Sequence, residues 1–524
     1  ESYMKVLLLN PEKPETFWNF KHICKFTGSK SLAPPLGLIT VAALLPREWE
    51  CRLVDLNTGP VTEADWGWAD LVMVSGMLIQ QDSLLSLIRE AKARGKTVVA
   101  GGPYPTSVPE KVLEAGVDYL VRGEAEDIMP FFLSALAEKS PQRVFEEDGK
   151  PDITKSPIPR FDLLNLNDYA TPGVQTSRGC PFNCEFCDVV NLYGRKPRHK
   201  TPDQVLAELE TLYRLGWRKD VFFCDDNFVG YPGHAQAVLT KLIPWLEERG
   251  EPFSFWTQAS INLGQDPEMI DLLTAANFST VFTGVESTDE EVLTQNRKFQ
   301  NIKNPAGPSV DNICTNGLAV MISFVIGFDS EKKGVDKRIC AFVEEHNIPF
   351  VVLNILQALP NTNLWDRLQK EGRLIEGRSS GDTQDFLLNY VPTRPAEEIE
   401  EILAEYTATI DRLYEPSRYL DRAYRYFLAM RPTRSFLAKQ RGEAPKPSDN
   451  HKPKRPKDLN DLSGLLKLIW WHGILAGYRA QFWRQLLGIY RHNPSRLTKY
   501  LICLGIGENM FRHREEVLRK TASQ

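Results

Sequence analysis

Ser177-Arg-Gly-Cys180-Pro-Phe-Asn-Cys184-Glu-Phe-Cys187 is the stretch on which the reading of this chain depends. Its cysteines are spaced CxxxCxxC. Three thiolates this close can hold three irons of a [4Fe–4S] cube and leave the fourth iron without a protein ligand. That open iron is a binding position, because a small molecule with an amine and a carboxylate can chelate it. Two other readings compete. Half of a zinc site would want a fourth thiolate or imidazole nearby, and the next candidate, His199, lies twelve residues past Cys187 in a basic stretch. A disulfide reading fits worse, since nothing at the N-terminus reads as a secretory signal.

The bulk numbers set the frame. With 524 residues, the chain should form roughly two to four domains with sizeable cores. A composition of 42% hydrophobic and 25% charged residues excludes wholesale disorder. The net charge of −5 argues against a nucleic-acid binder. Six further cysteines, at 24, 51, 224, 314, 340 and 503, are scattered like the reduced thiols of a cytoplasmic protein. No apolar run reaches the roughly 18 residues of a spanning helix.

Residues 1–140 alternate short apolar runs with helix-like segments. The runs are Lys5–Asn10, Cys51–Asn57, Leu71–Gly76, Thr97–Gly101 and Tyr119–Arg122. Continuous apolar runs predict strands buried on both faces, hence a parallel, doubly wound (Rossmann-like) α/β sheet. Ligands of such sheets lie beyond the carboxyl ends of the strands. Waiting there are Ser75-Gly76, Gly101-Gly102 and Gly123-Glu124, small residues that let a bulky flat ligand approach the backbone.

Residues 141–170 contain the proline-rich stretch Pro151–Asp162, read as a linker. From 171 to 375, strands at Gly173–Thr176, Val221–Cys224, Ser254–Gln258, Thr280–Thr283, Val320–Ile326 and Phe350–Leu353 alternate with helices such as Pro202–Leu215 and Gly233–Arg249. Six βα units predict a partial barrel with its function at the C-terminal strand ends. The cysteine loop follows the first of these strands. Polar groups stand at the others: Asp225-Asp226-Asn227, Gln258 and Ser260, Gly284-Val-Glu286-Ser287, Gly327, and Asn354 with Gln357, the last two as substrate-facing candidates. The aspartates also suit a helix cap or a metal.

With these residues in view, the chain resembles the radical S-adenosylmethionine (SAM) superfamily, in the subfamily with a cobalamin-binding domain ahead of the barrel. Alongside the cysteines, Tyr193-Gly-Arg-Lys-Pro-Arg-His-Lys200 and Asp225-Asp226-Asn227-Phe228 resemble the branch that includes hopanoid C-2 methylases, with bacteriochlorophyll methylases more distant. The resemblance implies Cys180, Cys184 and Cys187 as cluster ligands, and Phe186 near the adenine of SAM. It implies Asp225 and Asp226 at the SAM ammonium, Gln258 nearby, Glu286 and Ser287 at its carboxylate and ribose, and Gly327 beside the adenine. Ser75, Gly76, Gly101 and Gly102, with Gly123 and Glu124, become cobalamin contacts. The basic octad is either a solvated loop or a clamp on the cobalamin tail or an anionic substrate group. One departure stands out: the Asp-x-His-x-x-Gly motif that supplies a cobalt ligand is missing, and His22 reads as a loop histidine.

The activity this implies is cobalamin-dependent methyl transfer to an unactivated carbon of a hydrophobic, lipid or isoprenoid-like substrate. A one-electron reductant of flavodoxin or ferredoxin type would feed the cluster. The alternative is a radical cyclase, coupling or rearrangement enzyme in which cobalamin is absent or is not a methyl donor. A third reading is a cluster-bearing redox or binding protein.

Residues 376–524 read as mostly helical, with a Pro/Lys-rich break at Gly442–Lys457. Between 465 and 524 there are ten Lys/Arg against three Asp/Glu, around Leu465-Leu-Lys-Leu-Ile-Trp-Trp-His-Gly-Ile-Leu475. Two expectations stay open: a helix lying peripherally in a membrane interface, or a cap whose tryptophans pack on the barrel opening.

Overall fold

The computed structural model describes residues 3–375, 377–385, 388–393, 396–443 and 459–522. Most of the expected break at Gly442–Lys457 lies outside the described residues. The first domain is a six-stranded sheet, parallel throughout: β1 (Lys5–Asn10), β2 (Glu50–Asp55), β3 (Leu71–Ser75), β4 (Thr97–Gly101), β5 (Tyr119–Arg122) and β6 (Val144–Glu146), in the order β2-β1-β3-β4-β5-β6. Strand β1 shows why the apolar runs are continuous. Leu7 and Leu9 pack under helix Gln81–Ala93 on one face, while Val6 and Leu8 pack with helices Leu36–Leu44 and Ala125–Glu138 on the other. The sixth strand corrects the expected boundary. Residues 144–146, read as linker, pair with Leu120–Arg122; three residues are too short a run to stand out by pattern.

The second sheet is also parallel: β7 (Gly173–Val174), β10 (Asp220–Phe223), β11 (Ser254–Gln258), β12 (Phe278–Glu286), β13 (Ala319–Ile326) and β14 (Val351–Ile355), in sequential order from β7 to β14. Between β7 and β10, β8 (Ser177–Arg178) and β9 (Arg198–His199) form a small antiparallel pair that brackets the cysteine loop. Along β10–β12 the side chains alternate as pleating demands. Val221, Phe223, Phe255, Val281 and their neighbours are fully buried under the helices. The intervening Phe222, Trp256 and Phe282 are only partly buried, and they line the inside of the open barrel.

Strand β14 is an edge, and edges carry unpaired backbone groups that need partners. Here tyrosines and a returning segment supply them. Tyr414 Oη donates to the Val351 carbonyl at 2.7 Å, and Gln384 Nε2 to Leu353 at 3.0 Å. The backbone N–H of Ile355 reaches Thr383. Residues 377–385 and 388–390 therefore cover the barrel, past the expected boundary at 375. Helices Ala396–Leu413, Pro416–Ala429, Arg479–His492 and Leu497–Ala522 pack on it through Tyr406, Tyr426, Ile489, Tyr500 and Leu504, within one continuous core. The expected cap is present, but its tryptophans do not face the barrel: Trp470, Trp471 and Trp483 are exposed. His22 falls within helix Lys21–Thr27, not in a loop.

The helical domain should be acid-sensitive. His472 is fully buried with Nδ1 2.9 Å from Tyr478 Oη, and burial lowers its pKa to about 4. Burial, with a smaller push from Lys520, brings His513 to about 4 as well. Both stay neutral in the fold but take protons near pH 6.5 when unfolded. Between those values the unfolded chain binds more protons, so stability falls as pH falls. The urea midpoint followed by circular dichroism is expected to drop from about pH 7 to about pH 4.5, with a shallower slope in a His472→Gln variant.

Candidate active site

The cysteine loop leaves β8 through Gly179, whose φ of 94° belongs to glycine. A Cβ there would sit 2.8 Å from the Gly194 carbonyl, the same group that accepts from Cys180 N–H at 3.2 Å. Burial raises the Cys180 thiol, and pushes that of Cys187 up to about 12. Buried thiols of this kind become thiolates when a metal is bound, so the donor set fits an iron–sulfur cluster. Among the described residues no three His, Cys, Asp or Glu side chains converge on a single ion. His199, the fourth ligand a zinc site wanted, stacks instead on His234 and Tyr231, at 4.3 and 5.2 Å between ring centres. All nine cysteines are free thiols.

The two aspartates after β10 part company. Asp225 is fully buried, accepting from the N–H and hydroxyl of Thr176 and from Ser177 Oγ. It holds the chain that leads into the cysteine loop, and its oxygens are taken up by that task. Asp226 accepts only from Gly179 N–H, at 3.0 Å. Burial raises its carboxyl to about 6 against the pull of that N–H. Asn227 is engaged with Ser260, and the Gln258 carbonyl accepts from Phe228 N–H at 2.9 Å.

At the end of β12, Glu286 adopts a φ of 64°, a left-handed conformation that costs a non-glycine residue free energy and tends to mark functional sites. Its carboxylate pairs with Lys298, which is buried and lies 5.9 Å above the ring of Phe186. Burial alone would lower the pKa of Lys298. The carboxylate of Glu286 outweighs it, so the net direction is upward. Gly284 makes room for this pair: a Cβ there would fall 2.0 Å from Glu286 Oε1. Ser287 Oγ accepts from Asp289 N–H at the start of the next helix. Phe186 and Phe328 rings stand 5.8 Å apart, beside Gly327 with φ 114°. Gln300 Nε2 reaches Cys184 Sγ at 3.6 Å. Lys298 and Gln300 were missed in the sequence, where Asn296-Arg-Lys-Phe-Gln300 reads as an ordinary polar connection. Asn354 and Gln357, the substrate-facing candidates, lie against the returning segment. They are buried and bonded to Thr383 and Asp382 of the returning segment.

The first domain presents its strand ends to the barrel. Gly102 (φ 94°) lies so close to β3 that a Cβ would be 2.2 Å from Ser75 Oγ, and Gly123 has φ 103°. Gly76 and Gly101 complete a glycine-rich shelf at the strand ends, where a Cβ would meet Leu84 at 3.0 Å and the Val121 carbonyl at 3.4 Å. Glu124 does not belong to this shelf. It is buried and forked between Arg178, at 2.7 Å, and Arg198. Arg178 also grips Glu126 at 2.8 Å. Burial disfavours ionisation of Glu126, but Arg178 holds its carboxyl below the usual range. In the basic octad, Arg198 is thus committed to the domain junction and Lys200 to buried Glu208, so the clamp reading loses those two cations.

Fold and site define a radical SAM enzyme carrying a cobalamin-binding domain. Family models agree: a B12 binding domain matches residues 27–133, the radical SAM superfamily residues 174–313, and a domain of unknown function (DUF4070) residues 362–523. The chain is 45% identical over 521 residues to an uncharacterized methyltransferase of Synechocystis sp., covering 99% of this chain and 94% of the relative. It is 33% identical to the hopanoid C-2 methylase of Rhodopseudomonas palustris, over 92% and 88% of the two chains. Among solved structures, the cobalamin-dependent SAM radical enzyme OxsB with aqua-cobalamin bound shares the fold, with a TM-score of 0.59, 17% identity, and coverage of 99% and 81%. The radical SAM methyltransferase TsrM of Kitasatospora setae gives 0.55 at 17% identity over 71% and 78%. The chain belongs to the cobalamin-dependent radical SAM methyltransferases. Its cofactors are a [4Fe–4S] cluster, SAM and cobalamin.

Lys298→Met should leave Glu286 buried without its cation, at a cost of about 3–5 kcal/mol. The measurement is the denaturant midpoint of reconstituted protein, and adding Glu286→Gln should recover much of the loss.

Proposed function

We propose that the chain methylates an unactivated carbon of a hydrophobic, isoprenoid-type lipid. The observation that carries this reading is the inner row of the barrel. Phe222 and Trp256 are in register and stacked at 3.8 Å. Phe282, with Trp18 edge-on at 6.0 Å, and Met321 continue the row. These partly buried apolar side chains lie below the polar strand ends, so an apolar molecule can rest on them and present its carbon upward. The kinship to a hopanoid methylase supports the same substrate class.

When bound, the cluster and SAM supply one-electron chemistry, and cobalamin supplies a methyl group. The chain's own residues bind and orient. In our reading Cys180, Cys184 and Cys187 are the iron ligands, and Asp226 receives the SAM ammonium, because its carboxylate is the less saturated of the two. Glu286, Ser287 and Lys298 line the carboxylate and ribose side, with Phe186 and Gly327 flanking the adenine. Ser75, Gly76, Gly101 and Gly102 form the cobalamin shelf. The apolar barrel wall excludes water from the reacting carbon, and no side-chain general base is needed.

Incubating reconstituted enzyme with methyl-labelled SAM, a one-electron reductant and a polycyclic isoprenoid lipid should place the label on a product carbon. An unlabelled, cyclised product would overturn the methylation reading. Asp226→Asn should keep its iron and weaken SAM binding by about 1.5–3 kcal/mol, whereas Asp225→Asn should lose the ordered cysteine loop and its iron together. Equilibrium SAM binding and iron content per chain distinguish the two.

A further inference from the structure

Ten of the nineteen large apolar side chains exposed among the described residues lie between 465 and 502. Over residues 464–502 there are six Lys/Arg and not one Asp or Glu, in a chain whose net charge is −5. Both features fall on the same pair of elements. Helix Arg479–His492 buries Phe482, Gln485 and Ile489, yet its opposite stripe is Trp483, Leu487 and Tyr490, all exposed. A surface helix of a water-facing domain carries polar residues on that side. The π-turn Trp471–Leu475 is locked to this helix, since Trp483 Nε1 donates to the Gly473 carbonyl at 2.9 Å. A Cβ on Gly473 would lie 2.9 Å from the Trp483 ring. The turn exposes Ile474 and Leu475, and the preceding helix exposes Leu466 and Trp470 one turn apart. Lys467, Arg479, Arg484 and Arg491 are exposed among them.

We propose that this face docks on an anionic lipid bilayer, lying in the interface without crossing it. Among the described residues no helix is long and apolar enough to span. Tryptophan, tyrosine and leucine suit the boundary between headgroups and chains, and arginine suits the phosphates above it. A second copy of this chain is the poorer occupant, because an isologous contact would set these cations against each other with no acidic residue in the patch to meet them. The face also connects to the barrel. Helix Leu497–Ala522 carries exposed Ile502 and, two turns on, Asn509, whose amide donates to the Phe17 carbonyl at 3.3 Å. Trp18, next in the chain, lies against Phe282 inside the barrel. Docking is a property of the face alone and stands whether or not the methylated compound is a lipid.

The test is co-sedimentation of the full-length, cluster-reconstituted protein with phosphatidylcholine vesicles, with and without phosphatidylglycerol and without substrate. Binding is expected to the phosphatidylglycerol vesicles, and to weaken as salt is raised. Arg484→Glu/Arg491→Glu should lower the partition constant by about tenfold or more, and so should Leu466→Ser/Trp470→Ser, each with an unchanged circular dichroism spectrum. Absence of binding, or binding by both variants as tight as that of the unsubstituted protein, refutes the proposal. So does a concentration-dependent dimer, seen in sedimentation velocity, that these substitutions abolish.

Discussion

A single buried guanidinium ties the two halves of this enzyme together. Arg178 lies two residues ahead of Cys180 and is gripped by Glu124 and Glu126, at the end of β5 and the start of the helix after it. Arg198, on the partner strand of the small ladder, closes on the same Glu124. Charges this deeply buried are tolerated only when each is paired and hydrogen-bonded. Their geometry therefore sets the loop that carries the cluster ligands at a fixed distance from the glycine shelf. This ion cluster holds the cysteine loop and the strand ends of the first domain in register, the two platforms that the proposed methyl transfer would use.

The barrel itself is built to be open. Outward-facing residues of β10–β12 are sealed under helices, while the inward row Phe222, Trp256 and Phe282, with Met321 of β13, is only partly buried. The exposed edge at β14 is satisfied by side chains and by the returning segment around Thr383 and Gln384, so the sheet can end without seeking another strand. Asn354 and Gln357 take part in that closure, with Gln357 Oε1 left buried and without a partner among the described residues. Glu286, held with φ positive over Gly284 and paired to Lys298, shows the local strain that a packed site can impose.

Much of this was legible in the sequence because it rests on short-range pattern. Continuous apolar runs located β1, β4, β5 and β11 at their observed bounds, and the other long strands to within a few residues. The cysteine spacing located the loop. What escaped was long-range pairing. Nothing local separates Asp225, which braces Thr176 and Ser177, from its neighbour Asp226, which faces the cluster loop. Glu124 and Arg178 lie far apart in sequence, and nothing local says that the cobalamin candidate Glu124 is bound to an arginine of the cysteine loop until the fold joins them. Lys298 and Gln300 sit in a stretch without periodicity.

The sequence by itself determined the chemistry available: three clustered thiols, two parallel βα arrays, and a basic aromatic tail free of acids over its middle. Those features depend on residue type and spacing, which are readable one segment at a time. Only the tertiary structure decided which carboxylates are spent on holding the domains and which remain for a ligand. It also decided that the tail's tryptophans face outward, away from the barrel. Burial and partnership are properties of pairs of segments, and a charge or an indole has no assigned role until the fold determines what stands opposite it.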